Sequence, residues 1–174
     1  MLGDITTPVR KLLDFCLSYV TLAINAGSAA TFKTTGTTTY CIGGKMLQKA
    51  ALSAQAFTSG HKAQAPVTIG GTAYGTTALY LVQLDAAGTV STKQSNIAIA
   101  GIDADGKVSG TAMPAPYDQR ASLPESDSGC APIGFIKVTT NNSTTFTPGT
   151  TALDAAGLTV TYTNLAFDPV TPFQ

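Results

Sequence analysis

Two nearly identical strings of residues constrain the fold of this chain more than any other feature. They are Leu-Asp-Ala-Ala-Gly-Thr-Val at residues 84–90 and Leu-Asp-Ala-Ala-Gly-Leu-Thr-Val at residues 153–160. Each string lies between runs that favour β-structure. Asp accepts hydrogen bonds from the backbone ahead of it, and Gly adopts the left-handed conformation that closes a short loop. We therefore expect one hairpin turn to be used twice in a β-rich domain.

Alternating and β-branched runs extend this pattern along most of the chain. Predicted strands occupy residues 31–42, 45–52, 77–84, 89–93, 97–102, 107–109, 133–139, 144–146 and 158–163. Gly43-Gly44 and Asp105-Gly106 are tight-turn signals between neighbouring strands. Residues 113–132 contain four prolines and are predicted to form an extended loop. Short strands with glycine-rich turns are typical of a β-sandwich or a barrel.

The beginning of the chain shows a helical pattern. Thr7-Pro8 has the chemistry of a helix start, and apolar residues then recur at three- and four-residue spacing. This predicts a helix from about residue 8 to 23, although the β-branched residues near its end leave a strand at 18–24 open. The predicted organisation is a helical segment at 1–27 and a β-rich domain at 28–174, with an extended arm at 168–174.

The composition argues against several classes of partner. Charged residues make up 11% of the 174 residues and the formal net charge is zero, whereas about 25% charge is usual. A neutral surface favours association with other subunits, and the absence of a basic stripe argues against nucleic acid. The apolar run after Arg10 and Lys11 resembles a signal peptide, but it contains Asp14 and is short. We expect neither a signal peptide nor a membrane partner.

The reactive side chains form no recognisable catalytic or metal-binding pattern. The three cysteines are far apart and odd in number, which predicts buried thiols in a reducing compartment and no disulfide or zinc site. His61 is the single histidine, and no G-x-S-x-G string is present. A histidine metal cluster is therefore excluded, and a serine triad is not indicated. We expect His61 to be an exposed loop residue.

Two further strings resemble ligand-binding motifs but lack residues that those motifs require. Asp103-x-Asp105-Gly106 resembles the opening of a calcium loop, but its twelfth position is Pro114 where a glutamate is required. Residues 101–108 are one residue short of a phosphate-binding loop, and Val108 offers no hydroxyl to magnesium. We expect no cofactor, no metal and no catalytic residues, and hence no enzyme. Carboxylates brought together by the fold remain open, because glycoside cleavage needs only their proximity in space.

Aromatic residues within the predicted strands offer a second possible function, a sugar-stacking platform. Tyr40, Tyr80, Phe135 and Tyr162 all lie in β-rich runs, and the chain has no tryptophan. We interpret them as residues of the core or of a subunit interface.

Four phrases, in this order, carry a resemblance to a known group of proteins. The first phrase is residues 39–57 and the fourth is residues 145–157. Between them, residues 78–90 read Ala-Leu-Tyr-Leu-Val-Gln-Leu-Asp-Ala-Ala-Gly-Thr-Val and residues 131–138 read Ala-Pro-Ile-Gly-Phe-Ile-Lys-Val. Together they resemble small virion structural proteins of tailed bacteriophages, which are regarded as head decoration (cement) proteins or fibre-like components. The resemblance spans roughly residues 31–163 and includes no catalytic signature.

This resemblance implies a viral structural protein, made in the bacterial host cytoplasm, that decorates the capsid exterior. Its implied partner is the major capsid protein, whose shell it stabilises by binding. The alternative is a tail or head fibre, or a host-recognition module that binds carbohydrate, although the chain has no long repeats or coiled-coil heptads. Composition alone favours a closed dimer, and the resemblance favours three copies. We expect a homotrimer, with the helix in its core and the arm reaching a neighbour.

Overall fold

The computed structural model describes residues 14–166, and this part of the chain is built from strands. In chain order they are β1 (Phe15–Cys16), β2 (Thr21–Ile24), β3 (Phe32–Thr35), β4 (Thr38–Ile42), β5 (Lys45–Lys49), β6 (Val67–Ile69), β7 (Thr72–Tyr74), β8 (Thr76–Asp85), β9 (Val90–Gln94), β10 (Ala98–Ile99), β11 (Lys107–Val108), β12 (Thr111–Ala112), β13 (Cys130–Thr140) and β14 (Leu158–Asn164). The prediction of a mainly β protein is confirmed.

The largest sheet is built around two long antiparallel neighbours, β8 and β13, with Tyr80 opposite Ile136. β14 lies on the far side of β13, and β9 and β10 both pair with the other side of β8. Every second residue of β8, including Ala78 and Val82, points into the main core, as the period of a strand requires. The strands predicted at 77–84, 133–139 and 158–163 are confirmed.

The smaller sheets cover the inner face of this large sheet. One has the strand order β1-β4-β5, and β2 and β3 form a two-stranded ribbon. β1 and β4 contact β13, and β2 contacts β14. Between the layers, Phe57 packs edge-to-face against Phe32, Tyr80 and Phe146. The hairpins β6-β7 and β11-β12 complete the described part. None of the sheets formed by residues 14–166 closes on itself, so the barrel alternative is wrong.

The predicted helix at 8–23 is wrong for the residues that the structure describes. Residues 15–16 form β1, which pairs with β4, and residues 21–24 form β2, which pairs with β3. Leu22 is buried while Thr21 is exposed, the alternation of a strand. Partner strands satisfy this backbone, and they override the helical spacing of the apolar residues. The open alternative, a strand within 18–24, is confirmed. The start of the predicted helix and the arm at 168–174 lie outside the described residues.

Two of the predicted turns are confirmed in detail. Gly43 and Gly44 join β4 to β5 with φ angles of 56° and 80°, the left-handed pair that a two-residue hairpin needs. The turn after β8 is closed by Asp85, whose carboxylate accepts hydrogen bonds from the amides of Ala87 and Thr89 at 2.9 and 2.8 Å.

The second Leu-Asp-Ala-Ala-Gly string does not repeat that hairpin. It precedes β14, but no strand leads into it, and the strand predicted at 144–146 is reduced to a single bridge between Phe146 and Gln64. Asp154 accepts a hydrogen bond from the amide of Ser28 at 2.8 Å, and the amide of Leu153 donates to Ala29 at 2.9 Å. These contacts with the β2–β3 loop replace the local ones.

The hairpin expected around Asp105-Gly106 is also wrong, because its two strands have other partners. β10 pairs with β8, whereas β11 pairs with β12. A small second core holds this region together, formed by Ala98, Ile99, Ile102 and Met113. The extended loop predicted at 113–132 is confirmed for residues 113–129, and β13 takes up the remainder. Within the described range, no helix has the length and apolarity needed to cross a membrane.

Candidate functional site

The single histidine lies in a shallow groove of about 740 Å³ on the outer edge of β9. The groove is lined by residues 60–62 and 92–97, and we call it the His61 groove. His61 Nε2 lies 2.8 Å from Thr92 Oγ1, and the ring contacts Tyr80 edge-on with 5.5 Å between centroids. Partial burial lowers the pKa of His61, and an interaction with the backbone of Thr92 opposes this shift. His61 is therefore a half-buried bonded residue, and the prediction of an exposed histidine is wrong.

A hydrogen-bond network beneath His61 fixes the loop to the sheet. The fully buried hydroxyl of Tyr80 accepts hydrogen bonds from Gln64 Nε2 at 2.8 Å and Gln94 Nε2 at 3.0 Å. Gln94 also accepts from the Lys62 amide at 2.7 Å and donates to the Lys62 carbonyl at 2.8 Å. Burial raises the pKa of Tyr80 to about 12. A phenol with this pKa stays protonated at neutral pH and serves as a structural partner.

This arrangement lacks the parts of an acyl-transfer site. The hydroxyl next to His61 is that of Thr92, and its oxygen also accepts a hydrogen bond from the amide of Thr58 at 2.9 Å. No carboxylate lines the described part of the groove to orient the imidazole, and a triad needs such a group. The lining is instead rich in amide and hydroxyl groups, which suit hydrogen bonding to a polar ligand.

A second groove lies on the outer face of the large sheet, under the loop that carries the second core. It has a volume of about 420 Å³ and is lined by Thr77, Leu79, Ala98, Ile99, Gly101, Ile102, Arg120, Ala121, Phe135 and Lys137; we call it the Arg120 groove. Leu79 and Phe135 are half-buried on its floor, and Lys137 is exposed. Two cations and no carboxylate stand among these lining residues, so the groove suits an anionic ligand with an apolar part.

Arg120 is held in position by two hydrogen bonds of its own, and a third fixes Ser122 beside it. Its side-chain Nε donates to the carbonyl of Ile102 at 3.2 Å. Its own carbonyl accepts from Asn96 Nδ2 at 3.0 Å, and Asn96 Oδ1 accepts from the amide of Ser122 at 3.1 Å. The guanidinium Nη groups remain available to a ligand in the described part of the chain. A cation that is already positioned loses less entropy on binding than a free one.

Asp103 lies in both strings that resemble ligand-binding loops, and its carboxylate bonds to the local backbone. Asp103 Oδ1 accepts hydrogen bonds from the amides of Asp105 and Lys107 at 3.0 and 2.8 Å, which closes a turn where the sequence imitates calcium and phosphate loops. No group of three metal-ligating side chains occurs within residues 14–166.

One further carboxylate joins the loop at 113–129 to the sheet. Asp127 accepts hydrogen bonds from Lys93 Nζ at 2.8 Å and from the buried Gln83 amide, and these bonds lower the pKa of Asp127. The Asp127 amide donates back to Gln83 Oε1 at 2.9 Å. Cys130 lies nearby and is half-buried; burial is the first cause that raises its pKa, followed by the charge of Asp127.

The aromatic and cysteine predictions have mixed outcomes. Tyr40 and Tyr80 are buried in the main core and Tyr162 packs against it, as expected. Phe135 instead faces outward into the Arg120 groove, because the register shift between Pro132 and Gly134 changes which residues of β13 face inward. Cys16 and Cys41 are buried free thiols, as predicted, whereas Cys130 is only half-buried and the prediction of a buried thiol is wrong there.

Little in the sequence indicates where either groove lies. The loops that form them contain no motif, and residues far apart in the chain supply their walls. Comparison with known proteins adds no assignment, since no family model, no curated protein and no solved structure matches this chain.

Proposed function

We propose that the protein is a structural component of a tailed-phage virion, specifically a decoration protein that binds the major capsid protein on the outside of the shell. On the shell we propose three copies around each three-fold position. The smaller sheets laid over the large one would act as a β-sandwich, a rigid body that bridges capsid subunits. The protein would perform this function by binding to capsid subunits, without catalysing a reaction.

One observation carries this proposal beyond the sequence resemblance: the side chains with reactive potential are engaged in structural contacts. His61 bonds Thr92, and Asp85, Asp103 and Asp154 each accept hydrogen bonds from backbone amides. A virion subunit needs stability and neutral surface, and this chain has 11% charged residues.

Cryo-electron microscopy of the parent virion tests the proposal directly. We expect density for this β-rich subunit on the outer surface of the head, in contact with the major capsid protein. A second measurement is the thermal stability of heads that lack the protein, before and after it is added back. Density confined to the tail, or unchanged stability of the reconstituted heads, would contradict the decoration role.

A host-recognition module that binds carbohydrate is the second candidate, and the His61 groove favours it. Its lining includes Lys62, Ser95 and Asn96, whose ammonium group, remaining hydroxyl lone pair and second amide hydrogen can bond to sugar hydroxyls. Binding to surface polysaccharides of the host on a glycan array, lost in an Asn96→Ala variant, would support this role. Because Asn96 also anchors residues 120–122, the variant must keep its melting temperature for that loss to count.

A further inference from the structure

The Arg120 groove combines an apolar floor with two cations, and this combination defines the ligand it fits. Leu79 and Phe135 provide the floor, Ile102 lies on the wall, and Arg120 and Lys137 carry the charge. Arg120 is already positioned by its bond to the Ile102 carbonyl. A matching ligand carries a carboxylate directly beside a large apolar side chain.

The chain itself contains such a segment beyond the described residues. Residues 167–174 read Phe-Asp-Pro-Val-Thr-Pro-Phe-Gln, with one carboxylate, two phenylalanines and no cation. Asp168 follows Phe167 directly, so an acidic and an aromatic side chain stand next to each other. The charge of this segment is opposite to that of the groove, and its apolar residues match the floor.

We propose that the Arg120 groove receives the C-terminal segment of a neighbouring copy, with Asp168 bound by Arg120 and Lys137 and Phe167 on the apolar floor. This proposal requires only a second copy of the chain, so it does not rest on a role in a phage. A closed ring of copies, each inserting its segment into the next, would satisfy every groove without forming a filament.

The path of β14 favours a neighbouring copy over the same chain. Thr161 pairs with Lys137 and Thr163 with Phe135, so β14 runs alongside the groove, and the amide of Leu165 still bonds the carbonyl of Ile133 beyond it. To return to its own groove, the chain would have to reverse within residues 166–168. The segment of a neighbouring copy needs no such reversal to enter the groove.

The test uses full-length chains and exchanges the charges. We expect Lys137→Glu and Asp168→Lys each to weaken self-association about tenfold in sedimentation equilibrium, because each replaces an attraction with a repulsion. Lys45→Glu makes the same charge change at an exposed position on β5, and it should leave the association constant unchanged. Circular dichroism and the melting temperature establish that each variant is folded.

Mixing the two variants distinguishes a neighbouring copy from the same chain. In the mixture, the unchanged segment of the Lys137→Glu variant meets the unchanged groove of the Asp168→Lys variant, and the lysine introduced in the other segment meets the introduced glutamate. Association should therefore recover when the two variants are combined. A wild-type chain that stays monomeric at high micromolar concentration would overturn the proposal. So would a Lys137→Glu variant that associates as Lys45→Glu does, or a mixture without recovery.

A labelled peptide with the sequence of residues 165–174 identifies the occupant independently. In fluorescence anisotropy it should bind the full-length Asp168→Lys protein, and a peptide with lysine in place of the aspartate should bind about tenfold more weakly. An acidic oligosaccharide such as oligogalacturonate serves as the competing anion. If the oligosaccharide binds and the peptide does not, the groove is a site for acidic sugars and the proposal is wrong.

Discussion

Asp85 and Asp103 close two turns with the same set of four hydrogen bonds, although only one of them lies in a Leu-Asp-Ala-Ala-Gly string. Each carboxylate accepts from the amides two and four residues ahead. In each turn the amide of the aspartate donates to the carbonyl four residues ahead, and its own carbonyl accepts from the glycine three residues ahead. The shared pattern is Asp-x-x-Gly, with the glycine at a φ angle of 75° or 73°. Asp154 has this pattern too, but its carboxylate bonds Ser28 instead.

Replacing Asp85 should destabilise the protein in a pH-dependent way. Hydrogen bonds from the amides of Thr89, Ala87 and Gly88 lower the pKa of Asp85, so its contribution is complete above the ordinary value of 3.8 and is lost as the pH falls through the lowered one. We expect Asp85→Ala to lower the melting temperature at pH 7 and to have less effect at pH 2. Asp105→Ala is the control, since that carboxylate accepts no hydrogen bond within residues 14–166. Equal effects of the two variants would contradict this role.

The histidine predicts a second dependence on pH, with the same sign as that of Asp85 but in a range nearer to neutrality. Because burial lowers the pKa of His61, the folded state binds the proton less readily than the unfolded chain does. Stability should therefore be complete above the ordinary pKa of 6.5 and decline as the pH falls from 6.5 towards the lowered value. Thermal unfolding of wild type and His61→Gln between pH 5 and 8 measures this, and the variant should lose the slope. An unchanged slope in the variant would assign it to another group.

Removing one buried hydroxyl should weaken the network beneath the His61 groove. In Tyr80→Phe the amides of Gln64 and Gln94 lose the acceptor they share. We expect a cost of about 1–3 kcal/mol in urea unfolding, because Gln64 and Tyr80 are both fully buried. Tyr162→Phe removes a half-buried hydroxyl that makes no hydrogen bond in the described part, and it should be nearly neutral. A neutral Tyr80→Phe would mean that water replaces the hydroxyl.

A methyl group added at Gly134 should overpack the contact between β13 and β2. Its Cβ would approach Leu22 Cδ1 and would lie 2.6 Å from the Thr163 carbonyl oxygen. We expect Gly134→Ala to cost about 1–3 kcal/mol, from the strain of separating two packed layers. Gly27→Ala is the matched control, because its nearest atom, Asp154 Oδ2, is 3.9 Å away. If chemical denaturation gives the same free energy of unfolding for both variants, the layers are not tightly packed there.

The sequence predicted well those elements whose partners are close in the chain. The strands at 77–84 and 89–93 and the turns at Gly43-Gly44 and Asp85 follow from local alternation and local hydrogen bonds. The hairpin of β6 and β7 was missed although Gly70-Gly71, with φ angles of 57° and 84°, repeats the signal of Gly43-Gly44. That pair should have been recognised by the same argument.

Elements fixed by distant partners could not be predicted in this way. Residues 15–24 have apolar residues at helical spacing, yet they pair with β4 and β3. No feature of the neighbouring sequence indicates these partners. The identical strings at 84–88 and 153–157 adopt different structures because Ser28 and Ala29 lie beside only the second. The grooves also depend on residues that are distant in the chain. Arg120 comes close to Ile102 and Lys137 only after its loop folds over the sheet.

The floor of the Arg120 groove is the outer face of the large sheet, whereas its wall belongs to the small second core. Leu79 and Phe135 belong to the strands of the large sheet, whereas Ile102 on the wall belongs to the small cluster with Ile99 and Met113. A cluster this small opens at a lower free energy than the sheet beneath it. The residues of the wall can therefore open locally while the large sheet stays folded. This opening would appear as faster amide hydrogen exchange at residues 99–121. Such an opening would let the proposed bound segment leave the groove while the large sheet stays folded.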